Sequence, residues 1–119
     1  MLHIQREIHD FAVLTRVIGE IDLNVFDELR RALDTALALT AAPYPMVVDL
    51  DGVSFLSSAG LAELVGIDER ARTRGVEVRF VATRREVLRP LRLTGLLDHL
   101  DIRAEVDEAL SRRHPELNV

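Results

Sequence analysis

Between Met46 and Ala82 the hydrophobic pattern changes period twice, and this constrains the fold more than any other feature of the chain. Met46-Val47-Val48-Asp49-Leu50 is a short apolar run of strand type following Pro45. Asp51-Gly52 has turn composition and predicts that the chain turns there. Ser57-Ser58-Ala59-Gly60 then opens a helix with an apolar stripe through Leu61, Leu64, Val65 and Ala71, and Gly75 is its exit. Arg70, Arg72 and Arg74 suit the negative end of that helix. Val76, Val78, Phe80 and Ala82 alternate with Glu77, Arg79 and Val81, the period of a strand buried on at least one face. Strand, helix and strand in this order predict a right-handed crossover between parallel neighbours.

The flanking segments extend the same architecture. Leu2–His9 and Phe11–Gly19 are rich in Ile, Val and Leu and are separated by the polar His9-Asp10 pair, which predicts a β-hairpin. Phe26, Leu29, Leu33, Ala36, Leu37 and Thr40 recur at helical spacing, so an amphipathic helix is expected, capped by Asp22 or Asn24 and ended before Pro43. Thr83-Arg84-Arg85-Glu86 has capping-box spacing for a third helix, which Pro90 should kink and Gly95 should end, with Leu96 packing back. Ile102–Glu105 reads as a last strand and Asp107–Arg113 as a terminal helical turn before Pro115. The expected fold is α/β. It is one domain over residues 1–119, with a mixed sheet of four or five strands, the central ones parallel, and helices mainly on one face.

Composition narrows the chemistry. The 119 residues fit one domain of ordinary size, able to bury roughly two-thirds of its unfolded surface without disulfide or metal support. Cysteine is absent, which removes disulfide scaffolds, thiol catalysis and cysteine-ligated zinc and favours a reducing compartment. The N-terminus lacks the layout of a signal peptide and no run approaches a membrane span, so a cytoplasmic protein is expected. A net charge of −5 opposes direct binding to nucleic acid or to an anionic lipid surface.

The segment from Val48 to Leu61 carries the most functional information. It places the hydroxyls of Ser57 and Ser58 after a parallel strand and at the start of a helix, where open α/β sheets present their functional atoms. Free backbone N–H groups and the helix dipole stabilise an anion there, so the fold tolerates a phosphoserine. By spacing alone, the same serines also suit a plain helix cap, with Gly60 permitting close packing.

Phe55-Leu56-Ser57-Ser58-Ala59-Gly60-Leu61 resembles the signature of the STAS family: phenylalanine, any residue, Asp-Ser, Ser or Thr, Gly-Leu, preceded by a strand ending in Asp-Leu. Gly19-Glu20-Ile21-Asp22-Leu23 is similar to the family's first motif and Leu93-Thr94-Gly95-Leu96 to its third, so the resemblance covers about Val13 to Leu110. For bacterial members it implies an anti-sigma-factor antagonist. Such a protein binds an anti-sigma factor that is an ATP-dependent serine kinase, is released when that kinase phosphorylates it, and is restored by a metal-dependent serine phosphatase. Ser58 matches the phosphorylated serine and Asp22 an acidic position near it. Asp22, Ser57, Ser58 and Gly60 are the implied partner-binding residues. The family aspartate before the acceptor is Ser57 here, which removes a charge and makes Ser57 the second candidate acceptor. The alternative is a STAS module that is not phosphorylated, such as a scaffold or transporter-accessory subunit.

Other chemistries have little support in the sequence. There is no G-x-S-x-G, and His3, His9, His99 and His114 lie far apart, so no enzyme is expected. The histidines lack helical pairing and Asp22, Asp49 and Asp51 lack calcium-loop spacing, so no metal site and no cofactor are implied. Asp49, inside a strand, needs a partner. Arg84, Arg85, Arg89 and Arg92 read as a solvated helix face that can contribute to a partner-binding rim. Of Phe55, Leu56 and Leu61, at most one is expected at the surface. A monomer or weak dimer fits the composition.

Overall fold

The two N-terminal apolar runs form the expected hairpin. β1 (Leu2–His9) and β2 (Ala12–Ile21) pair antiparallel from Leu2↔Gly19 to His9↔Ala12, and Asp10, at φ 57°, turns the chain. The computed structural model describes residues 2–111. A 3-10 turn (Leu23–Val25) leads into α1 (Phe26–Leu39), followed by β3 (Met46–Leu56), α2 (Ser58–Arg72), β4 (Val78–Val81) and α3 (Arg85–Leu93). A second 3-10 turn (Leu96–Asp98), β5 (Ile102–Arg103) and α4 (Val106–Leu110) complete it. The sheet has five strands in the order β1-β2-β3-β4-β5, all pairs parallel except β1 with β2.

Strand alternation sends side chains to two unlike layers. Val13, Val17 and Ile21 of β2, Met46, Val48 and Leu50 of β3, and Val78 and Phe80 of β4 face one side. There they pack with Leu29 and Leu33 of α1, Leu64 and Ile67 of α2, and Val87 and Leu91 of α3. Leu14, Val47 and Val81 point to the other side and meet only Ala109 of α4, with Val106 and Leu110 at its margin. Helices therefore cover mainly one face.

The rest of the second face is ionic. Arg16 donates to Glu7 and to Asp49, each at 2.9 Å, so the buried Asp49 has the partner its place in a strand requires. The Arg16 hydrogen bond, followed by that of His9, holds the Glu7 carboxyl below its ordinary range. Arg79, 1% exposed, donates to the carbonyls of Ala109 and Ser111 at the end of α4 and to Glu77 at 2.9 Å. On the helical side, Arg70 of α2 joins the buried Glu63 at 2.6 Å to Asp34 of α1 at 2.9 Å, tying the two helices together.

Several local expectations need correction. Asp51-Gly52 does not turn the chain; β3 continues to Leu56. β3 places Leu50 and Asp51 opposite Val17 alone, and a second extra residue, Ser54, follows Val53, so the strand bulges twice while staying paired with β2. Gly52 permits this because a Cβ there would lie 2.8 Å from Ile18 Cγ1. Asp22 caps the 3-10 turn by accepting from Asn24 N at 3.0 Å, and α1 begins after Val25 without a side-chain cap.

Thr83 does not cap α3, whose N-cap is Arg84. Instead Asp51 Oδ1 accepts from Thr83 N at 2.7 Å and from Thr83 Oγ1 at 3.1 Å. Glu86 does not reach back: a hydrogen bond to its own backbone N–H, and then the charge of Arg84, hold its carboxyl below the ordinary range. α3 runs through Pro90 to Leu93, and Gly95, at φ 79°, ends the turn that follows. β5 is shorter than expected and stops at Arg103, and α4 ends at Leu110 because Ser111 is already extended, short of the expected Arg113; Arg113, His114 and Pro115 lie outside the described residues.

Candidate functional site

β2 and β3 end side by side, with Ile21 opposite Leu56. The Ser57 N–H donates to the Ile21 carbonyl at 2.9 Å, so Asp22 and Ser57 leave adjacent strand ends together. Ser57 has extended backbone angles, its carbonyl accepts from Leu61 N at 2.9 Å, and its Oγ accepts from Gly60 N at 3.1 Å. That is N-cap geometry. Ser57 is therefore the cap, and Ser58 is the first residue of α2, exposed and with no side-chain hydrogen bond among the described residues.

Gly60 is buried beneath them. A Cβ at Gly60 would lie 2.7 Å from Ile21 Cγ2 and 2.7 Å from Leu56 Cδ1, so the first turn of α2 rests directly on the two strand ends. Gly60 thus acts on the surface by fixing the height of Ser58 above the sheet. Asp22 is half-buried beside Ser57, its carboxylate occupied by Asn24 N. The structure brings all four sequence-derived residues, Asp22, Ser57, Ser58 and Gly60, to one strand-to-helix junction.

Two apolar side chains frame this junction. Leu23, next to Asp22, is 75% exposed and Phe55 is 49% exposed, while Leu56 and Leu61 are buried. Sequence reasoning allowed for one exposed residue among Phe55, Leu56 and Leu61 but passed over Leu23. Spacing concealed it: Leu23 lies three residues before Phe26, in line with the stripe of Phe26, Leu29 and Leu33, but it falls in the 3-10 turn that precedes α1. Exposed apolar groups around an uncommitted hydroxyl make a surface suited to a protein partner.

Among the described residues no His, Asp or Glu side chain hydrogen-bonds to Ser58. His3 and His9 lie on β1, where they contact Gln5 and Glu7, and His99 follows the second 3-10 turn. Among the described residues no three His, Asp or Glu side chains form a metal-binding group, and no helix is long and apolar enough to cross a membrane. Away from the site, burial pushes the Asp68 carboxyl up despite Arg72 at 3.0 Å.

Residues 3–109 match the family model described as the STAS domain. The chain is 38% identical over 103 residues to the anti-sigma-F factor antagonist RsfA of Mycobacterium tuberculosis, covering 87% of this chain and 80% of that protein. A crystal structure of an anti-sigma factor antagonist from Mycobacterium paratuberculosis superposes with a TM-score of 0.83 at 30% identity, covering 92% of each chain. The Bacillus cell fate determinant SpoIIAA in its phosphorylated form gives a TM-score of 0.69 at 18% identity over 92% of this chain and 98% of that one, a likeness of fold alone. A family model spanning nearly every described residue, and a relative 38% identical over 103 residues, place the chain in the STAS domain family.

Proposed function

We propose that this protein is an anti-sigma-factor antagonist acting as a phosphorylation-controlled binding switch. Unmodified, it binds an anti-sigma factor of the serine-kinase type through the surface around Ser58, which frees a sigma factor. The kinase transfers the terminal phosphoryl group of its ATP to Ser58 Oγ, with ADP as leaving group, and the complex separates. A metal-dependent serine phosphatase hydrolyses the ester and resets the switch. The role is one of binding, not catalysis, in the cytoplasm, within a single domain.

One observation carries this reading: of the two adjacent serines, Ser57 spends its Oγ on the cap, and Ser58 keeps an exposed, unengaged hydroxyl on a rigidly seated helix start. The relatives named as anti-sigma-factor antagonists supply the functional class. The same atoms explain the replacement of the family aspartate. An acceptor oxygen is what the cap requires, and Ser57 Oγ provides it without the charge. Phosphorylation adds about −1.5 to −2 charges, which the helix start tolerates but a partner packed on Leu23 and Phe55 would have to desolvate. At about 1.4 kcal/mol per tenfold in affinity, a cost of several kcal/mol separates the complex.

Affinity capture from the host's lysate tests the proposal, with wild type, Ser57→Ala, Ser58→Ala and Ser58→Glu as baits. Wild type and Ser58→Ala should retain an ATPase-type serine kinase and Ser58→Glu should lose it. With ATP, that kinase should add one phosphate to the wild type, and mass spectrometry should locate it on Ser58. Equal capture by all four baits would instead support the non-phosphorylated module, and a phosphate on Ser57 would overturn the choice of acceptor.

A further inference from the structure

α3 presents a row of cations that the rest of the molecule does not use. Arg85, Arg89 and Arg92 recur at i, i+4 and i+7, opposite the buried Val87 and Leu91, and all three are exposed. None forms an ion pair among the described residues, whereas Arg16, Arg30, Arg70, Arg72, Arg79, Arg84 and Arg103 each do; Arg6, Arg31 and Arg74 are unpaired as well, but each lies alone on a different part of the chain. Leu93, 74% exposed, ends the row with an apolar tip.

The row's position ties it to the switch. α3 follows β4 in sequence but packs against β3, the strand that delivers Ser58. Pairing with β4 stops at Asp49↔Val81, and beyond that point Asp51 of β3 anchors the approach to α3 through Thr83. Three like charges on one helix face repel one another and keep their hydration in the free protein. A carboxylate-bearing surface brought against them relieves both costs, and arginine's planar fork suits carboxylates. On a chain of net charge −5, with no aromatic residue in the helix, a polyanion such as nucleic acid is repelled at long range, whereas an acidic patch on a protein is engaged locally.

The geometry points to Arg85, Arg89 and Arg92 as a second docking surface, which receives an acidic patch of the same anti-sigma kinase and steers it towards Ser58. This rests on the switch reading above. It adds a contact that sets the association rate and the choice of partner, whatever the phosphorylation state.

The test uses the full chain and the kinase retained by the wild-type bait, with association and dissociation rates measured across a range of salt concentrations. The triple variant Arg85→Glu, Arg89→Glu, Arg92→Glu should weaken binding by about tenfold or more, mainly through slower association, and should flatten the dependence of affinity on salt. The triple Arg→Lys variant should keep most of the association rate, which separates loss of charge from loss of fold. If the triple Glu variant associates at the wild-type rate with the wild-type salt dependence while Ser58→Glu still blocks binding, the docking surface falls and the switch stands. If the wild type captures no such kinase, both fall. Retention of a short DNA duplex by the wild type, lost in the triple Glu variant, would overturn the acidic-protein assignment in favour of nucleic acid.

Discussion

The starts of α2 and α3 follow parallel strands of one sheet, yet they are secured in different ways. α2 is closed from within, by Ser57 Oγ on Gly60 N and by Gly60 against Ile21 and Leu56. α3 has no cap of its own and is held by Asp51, a carboxylate from a different strand. A helix start that satisfies itself leaves its outermost side chain uncommitted, and at α2 that side chain is Ser58. A helix start held from outside transfers its stability to the neighbour. At α3 this links the arginine row to the strand that carries the switch.

Substitutions at the two junctions test this contrast by equilibrium unfolding in urea. Gly60→Ala should have the largest effect, about 2 kcal/mol of destabilisation, because the added methyl meets side chains on two strands at distances that force a shift. Full stability in this variant would show that the α2 start is not seated as described. Asp51→Ala should cost about 1.5 kcal/mol through the two bonds to Thr83, and hydrogen exchange should rise across residues 83–93 more than across residues 58–72. Equal increases in both segments would mean that the two starts are not independent. Ser57→Ala should cost about 1 kcal/mol as a lost cap, whereas Ser58→Ala should stay within about 0.5 kcal/mol of wild type. The reverse order would exchange the roles of the two serines.

The contrast also shows what was legible in the sequence. Periodicity revealed the first two helices and the parallel crossover, because burial of one face dictates spacing whatever lies elsewhere in the chain, while the hairpin came from two apolar runs split by a polar pair and the third helix from its boundary residues. The site segment was legible as a strand leading to a helix start, but which serine is the cap was not. That depends on the backbone angles of Ser57, which the contact with Ile21 fixes. Asp51-Gly52 was misread because turn composition is a local preference, and continued pairing with β2 outweighed it by absorbing the extra residues as bulges. Thr83 and Glu86 had the spacing of a capping box, but a carboxylate remote in sequence reached Thr83 first. In both misreadings the deciding partner lay outside any local window.

Arg79 bears on how the chain can be shortened or grafted. Its guanidinium is closed off from water, and two of its acceptors are main-chain carbonyls that exist only if the polypeptide continues through α4. A fragment cut after β5 would keep every strand of the sheet and all three helices on its crowded side, yet it would open Leu14, Val47 and Val81 to water and leave Arg79 only Glu77 as a partner. Apolar surface opened in this way forfeits roughly 25 cal/mol per Å² of burial and offers other chains a place to adhere. The minimal transplantable unit therefore extends at least to Ser111, well past the last residue that either the sheet or the switch requires.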